Sequence, residues 1–235
     1  MRPILKFILR WTAILGVLVL LAACAKGDYD FIFPDGPYGA NDPKQGTQDL
    51  AIGTVLSRDG VRYIRLDEKS RSQVMNPKEI ADIKDGTRVF LQYRYVVTSA
   101  IADFCTDAIL VEWASPLDTG EIRFDMQAQS GDPVDILTDW ITCLEDGFLT
   151  LHYSIRASGS VKHGFSLYPS VDPLTYRLVH EANGDNKGNQ TDGIVCFDLS
   201  GLLPDTGGET VELHVDYIDL NNTQKRLTVE YRSPK

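Results

Sequence analysis

The chain has little of what metal enzymes, redox proteins and nucleic-acid binders require. Its 235 residues hold four cysteines and four histidines. No two cysteines stand at C-x-x-C spacing, so neither a redox dithiol nor a zinc knuckle is supported. His152, His163, His180 and His214 are dispersed, with no pair at the ligand spacing of a helix or strand, and no metal site is expected. Basic side chains are outnumbered by acidic ones, 23 to 33. No basic patch offers the counterion release on which phosphate-backbone binding rests, which excludes nucleic acid as a partner. Ser158-Gly159-Ser160 and Ser200-Gly201 lack the strand-to-helix setting of a G-x-S-x-G nucleophile. The carboxylate pairs Asp67-Glu68 and Glu145-Asp146 sit beside glycine or loop residues and read as turn formers. In the loop from His180 to Gly193, Asn183, Asp185 and Asn189 invite comparison with a calcium loop. Lys187 stands where a further oxygen donor is needed and no glutamate closes the loop, so a long polar hairpin loop is expected there. The protein is therefore read as no enzyme, with no cofactor.

Long hydrophobic runs are confined to the start. Arg2, Lys6 and Arg10 precede the apolar core Trp11 to Leu21, followed by Ala22 and Ala23. That is the order of a secretory signal, and its core is too short to span about 30 Å of hydrocarbon. The tetrapeptide "LAAC", Leu21 to Cys24, resembles the lipobox of bacterial lipoproteins. The resemblance implies that residues 1–23 are a signal peptide and that Cys24 is lipidated and becomes the first residue. The thiol is the one good nucleophile of the stretch. The expected partner is thus a membrane, engaged through lipid on Cys24. The leader carries three of the basic residues and no acidic one, so the remainder has a net charge of −13, which favours solubility. Residues 24–48, with three prolines and four glycines, read as a tether that could include a first strand at "DYDFIF".

From Asp49 onward the pattern is β. "AIGTVLSRDGVRYIRLD" alternates on both sides of Asp59-Gly60, a hairpin signal. "TRVFLQYRYVV" places Val89, Leu91, Tyr93, Tyr95 and Val97 on one face. "FCTDAILVEWA" reads as another strand, and the polar "SRSQVMNPKEIADIKDG" between them as a loop with a helical turn. Four or five curled strands suit a small OB-like barrel over residues 49–118. "SPLDTG", Ser115 to Gly120, marks the junction. Residues 119–235 then offer further short strands, ending in "ETVELHVDYIDLNNTQKRLTVEYR" with a turn at Asn221-Asn222, and read as an antiparallel β-sandwich. The fold class is all-β.

The ordered set of lipobox, acidic spacer, "AIGTV", "RVFLQYRYV", a "GDP" linker and the final paired strands resembles the NigD-like family of envelope lipoproteins from Gram-negative anaerobes. The resemblance implies an OB-like domain followed by a C-terminal β-sandwich, in an outer-membrane lipoprotein. Relatives often carry a dense acidic run just after the lipidated cysteine, whereas only Asp28 and Asp30 follow here. The cell surface and the periplasmic face therefore both stay open. The resemblance implies no particular biochemical activity. The function expected is a non-enzymatic binding or assembly module; an accessory or immunity role beside bacteriocin production, drawn from the family name, is the alternative.

With Cys24 acylated, three thiols remain. Cys143–Cys196 would join two strands of the sandwich, Cys105–Cys143 would clamp the two domains, and the third reading is three small buried hydrophobes. Tyr93 and Tyr95 share the phase of the barrel core. Phe90 is opposite in phase and is the candidate ligand-binding side chain. A glycan or protein ligand fits the acidic charge.

Overall fold

The structure, a computed structural model, describes residues 49–66, 70–96, 98–125 and 131–233. The signal, Cys24, the tether and the "DYDFIF" segment lie outside the described residues. Five strands form a closed barrel in the order β1-β2-β3-β5-β4. They are β1 (Asp49–Arg58), β2 (Val61–Arg65), β3 (Ser72–Val74), β4 (Thr87–Val96) and β5 (Asp107–Pro116). Asp59 and Gly60 both take positive φ, 51° and 79°, between the paired Arg58 and Val61. Such a primed two-residue turn matches the twist of the flanking strands.

Val55, Ile64, Val89, Leu91, Ile109 and Val111 fill the barrel, and Ile80 of the 3-10 helix Pro77–Ile80 joins them. The alternation along β4 is kept: Val89, Leu91 and Tyr93 are buried, while Phe90 and Gln92 are only partly so. The polar stretch read as a loop contributes a strand as well as the helical turn. Its β3 runs parallel to β5 and helps to close the barrel. Beyond its end, the Asn76 amide accepts from the N–H of Val111 and donates to its carbonyl, at 2.9 and 2.7 Å. A side chain there stands in for a backbone ladder, so hydrophobic alternation was not required.

The second half is two packed sheets. Its strands are β6 (Asp118–Thr119), β7 (Glu121–Ile122), β8 (Asp135–Leu137), β9 (Cys143–Glu145), β10 (Phe148–Ala157), β11 (Gly164–Pro169), β12 (Thr175–Glu181), β13 (Asn189–Asp198), β14 (Val211–Ile218) and β15 (Gln224–Tyr231). One sheet runs β6-β13-β10-β8 with β9 also on β10; the other runs β15-β14-β12-β11-β7. Leu149, Leu151, Leu167, Phe197, Leu213 and Val215 form the core between them. Most ladders are antiparallel, and three pairings are parallel: β6 with β13, β7 with β11, and β12 with β14. Among the described residues no helix is long and apolar enough to cross a membrane.

Gly120 lies where the chain steps from one sheet to the other, between β6 and β7. A Cβ built there would overlap the buried ring of Phe197. Gly120→Ala is therefore expected to cost about 1–3 kcal/mol by overpacking, read as a lower urea midpoint.

The segment from His180 to Gly193 is a second crossing and not a hairpin loop, because β12 and β13 belong to different sheets. Asp185 within it is turned inward and buried. Its carboxylate accepts from the backbone N–H groups of Ser158, Gly159 and Ser160 at 2.8, 3.0 and 3.1 Å. Hydrogen bonds from Ser158, then those of Ser160 and Gly159, hold it well below the usual carboxylate range. These oxygens tie two loops together, and His163 Nε2 lies 3.7 Å from Oδ2.

Candidate ligand-binding site at the barrel–sandwich junction

The barrel meets the sandwich through a buried charge cluster. Arg88 points out of the barrel, and its side chain is 0 % exposed. It donates to Thr54 Oγ1 and to Glu145 Oε2, both at 3.1 Å, and lies 3.7 Å from Asp146 Oδ2. Asp146 also accepts from Thr54 Oγ1 at 3.1 Å and from Arg65 at 3.0 Å. The guanidinium stands over the ring of Phe148, 6.0 Å from its centroid.

Asp146 and Gly147 take positive φ, 54° and 78°, and close the tight turn between the paired Glu145 and Phe148. Asp146 is thus a turn residue, as the sequence indicates, while Glu145 ends strand β9 beside it. Their carboxylates are also the sandwich's half of the clamp.

Next along β4, Phe90 projects from the barrel at the rim of this junction. Trp113 packs on it edge to face at 5.4 Å, and Trp140 of the sandwich lies tilted against it at 6.1 Å. Ile52, the β1 partner of Phe90, is buried beside it. Trp113 is oriented by its indole N–H, which donates to Gln92 Oε1 at 2.8 Å. The loop carrying Trp140 is pinned on both sides. Thr142 Oγ1 donates to Leu137 O at 2.6 Å, and the Ile141 N–H donates to Asp139 Oδ1 at 3.0 Å. His152 Nδ1 donates to Asp139 Oδ2 at 2.6 Å. Burial raises the Asp139 carboxyl, but His152 and the N–H groups of Ile141 and Thr142 outweigh it and hold it below its ordinary value. Trp140 nevertheless stays 43 % exposed. An exposed indole held by a rigid loop, flanked by two further rings and a carboxylate–imidazole pair, offers stacking area at little cost in ordering.

Phe90 is therefore placed at a surface formed by both halves. Trp140 was missed from sequence because its loop has no period; the only signal was a tryptophan beside an aspartate in a polar segment.

The three described cysteines are free thiols. Cys143 and Cys196 both pair with Thr150, from opposite sides. They stand two strand spacings apart, about 10 Å, beyond the roughly 7 Å that a disulfide can bridge. The Cys143–Cys196 bridge is thereby excluded, and Cys105 and Cys143 are likewise unbridged. Burial and then the Glu145 charge push the Cys143 thiol up to about 11, and burial raises Cys196 and Cys105. Iodoacetamide is expected to leave these three thiols unmodified in the folded protein and to label all three in urea, as read by intact mass.

The fold brings two dispersed histidines together. His163 and His180 stack at 5.0 Å, with 2.8 Å between Nδ1 of the first and Nε2 of the second. His180 Nδ1 donates to Pro133 O at 3.0 Å, so its Nε2 accepts from His163. Burial lowers the His180 pKa. His214 sits on an outer strand face beside Thr228. Among the described residues no three His, Cys, Asp or Glu side chains group as metal ligands.

Residues 117–231 match the model of the NigD-like C-terminal beta sandwich domain, which makes that half of the chain a NigD-like sandwich. No curated protein matches it. Among solved structures, the chain is similar to a protein of Parabacteroides distasonis ATCC 8503, provisionally described as toxin related. The two share 26 % identity at a TM-score of 0.66, over 80 % of this chain and 94 % of that one. It is also similar in fold to a NigD-like immunity protein of Bacteroides caccae ATCC 43185, with 19 % identity, a TM-score of 0.57 and coverage of 79 % and 98 %. A third, provisionally described as a lipoprotein of Bacteroides fragilis NCTC 9343, shares 10 % identity at a TM-score of 0.52, over 80 % and 100 %.

Proposed function

We propose that the protein is a non-enzymatic binding or assembly module of the cell envelope, anchored to the outer membrane by lipid on Cys24. Its ligand, a glycan or a protein, docks on the junction aromatics Phe90, Trp113 and Trp140. The observation that supports this reading is the exposed indole of Trp140, seated on Phe90 and held by a pinned loop. Aromatic anchors beside a few fixed polar groups are what ligand sites between domains commonly present. The test is tryptophan fluorescence of the soluble Cys24→Ser protein against glycan and envelope-protein panels. A saturable change lost in Trp140→Ala supports the site. A change that survives in Trp140→Ala places the ligand elsewhere, and turnover of any panel member contradicts the non-enzymatic role.

The likeness to a NigD-like immunity protein and to a toxin-related protein favours a second reading, an immunity or accessory role beside bacteriocin production. On that reading, deleting the protein changes survival only when the toxin is present. On the first reading, a ligand is held in cells never exposed to one.

A further inference from the structure

A cavity lies on the other sheet, the one that does not carry the Arg88 clamp. β12 and β14 pair in parallel only from Thr175↔His214 to Arg177↔Asp216. Beyond that they part, because the segment before β8 bonds to both. The Asp132 N–H donates to His180 O, and the Val134 N–H donates to Ile218 O, at 2.7 and 2.8 Å. Beside the stretch that still pairs lies the cavity, of about 300 Å³, lined by Arg177, Asp216, Ser170, Gln224, Tyr217 and Ile218 among others.

The charges of this face are unevenly matched. Arg123 is taken by Glu121 and Glu181, at 2.9 and 3.0 Å. Arg226 grips both oxygens of Asp216, at 2.7 and 2.9 Å. Arg177 stands opposite Asp216 in the ladder, yet among the described residues it has no carboxylate within ion-pair distance. Asp216 is already committed to Arg226. Arg177 feels the Asp216 carboxylate only beyond ion-pair distance, so this half-buried guanidinium has lost part of its hydration without gaining a close partner. Its planar fork of donors fits a carboxylate in bidentate fashion. The neighbouring Ser170 hydroxyl and Gln224 amide supply neutral hydrogen bonds. On the facing strand, the Asp216 carboxylate repels a second negative charge and accepts from hydroxyl or ammonium groups.

We propose that this cavity binds a small monocarboxylate whose other end carries hydroxyl or ammonium donors. The carboxylate docks on Arg177 and the donors face Asp216. The site is independent of the junction aromatics and stands or falls without them.

The test is NMR titration of the ¹⁵N-labelled mature protein carrying Cys24→Ser, with glucuronate as the hydroxyl arm and glycine as the ammonium arm. Glucose and succinate are the comparisons. At least one of the first two is expected to give saturable shifts at the amides of residues 170, 175–177, 216–218 and 224, and which of them binds identifies the donor class. Glucose, lacking the carboxylate, gives none, and succinate, with a second charge, binds more weakly than the acid that does bind. Arg177→Gln weakens binding at least about tenfold, the loss expected for a charge-assisted hydrogen bond. Arg177→Lys, which keeps the charge but not the fork, falls between. The proposal is overturned if neither acid gives a saturable shift, if succinate binds best, or if folded Arg177→Gln and Arg177→Lys proteins both keep the wild-type affinity.

Discussion

Replacing Arg88 with alanine lowers the unfolding free energy by about 3–5 kcal/mol, the cost of breaking a buried ion pair from one side. The guanidinium is fully enclosed, and Asp146 is only 3 % exposed in its side chain. Without Arg88, Asp146 keeps the partly exposed Arg65 and the Thr54 hydroxyl, and Glu145 loses its bond across the junction. Arg88→Met restores much of the volume but not the charge, so it is expected to recover only the packing share of the loss. The comparison is Arg94→Ala on the same strand. Its partner Glu112 and Arg94 itself are 38 % and 43 % exposed, and an exposed pair contributes under about 1 kcal/mol. Urea unfolding followed by circular dichroism separates the two. Because the clamp ties barrel to sandwich, the Arg88 variant should also separate the signals of the two halves into distinct transitions, where the wild type shows one. A loss below about 1 kcal/mol in Arg88→Ala would remove the clamp from the account.

Cys24→Ser has the other large effect, on location rather than stability. A serine hydroxyl is a far poorer nucleophile than the thiol on which the lipidation reading depends. Each buried methylene contributes about 0.8 kcal/mol, and a single chain holds only marginally. Two or three chains make attachment effectively permanent, so their loss should move the protein from washed membranes to the soluble fraction. Alkyne-tagged fatty acid fed to the cells should label the wild type and not the variant. Labelling of both proteins, or a variant still held in carbonate-washed membranes, would contradict the lipid anchor.

Much of the barrel was legible because its signals are local. Asp59-Gly60 specifies a turn through the conformations those residues tolerate. The alternation of Val89, Leu91 and Tyr93 reports one buried face. The same alternation placed Phe90 outside the barrel core, and it does lie outside. What it could not report is that the sandwich supplies Trp140 against that ring. Arg88 shares the outward phase of Phe90 and Gln92, where a charged residue on a solvated strand face is ordinary. Its burial follows from a turn some 57 positions later, which periodicity does not reach. The crossing at Gly120 and the His163–His180 stack are hidden for the same reason. Each depends on which strands become neighbours, and the polar residues involved satisfy one another only after the sheets have packed.

The most direct test of the binding reading puts a photo-crosslinking benzophenone side chain at position 140 in living cells. The comparison site is position 171, where valine is 99 % exposed on the same half of the molecule. If the junction aromatics hold a ligand, irradiation gives a discrete adduct at 140 and none at 171. Equal adducts at both positions, or none at 140, would contradict the claim that this surface is where the protein binds.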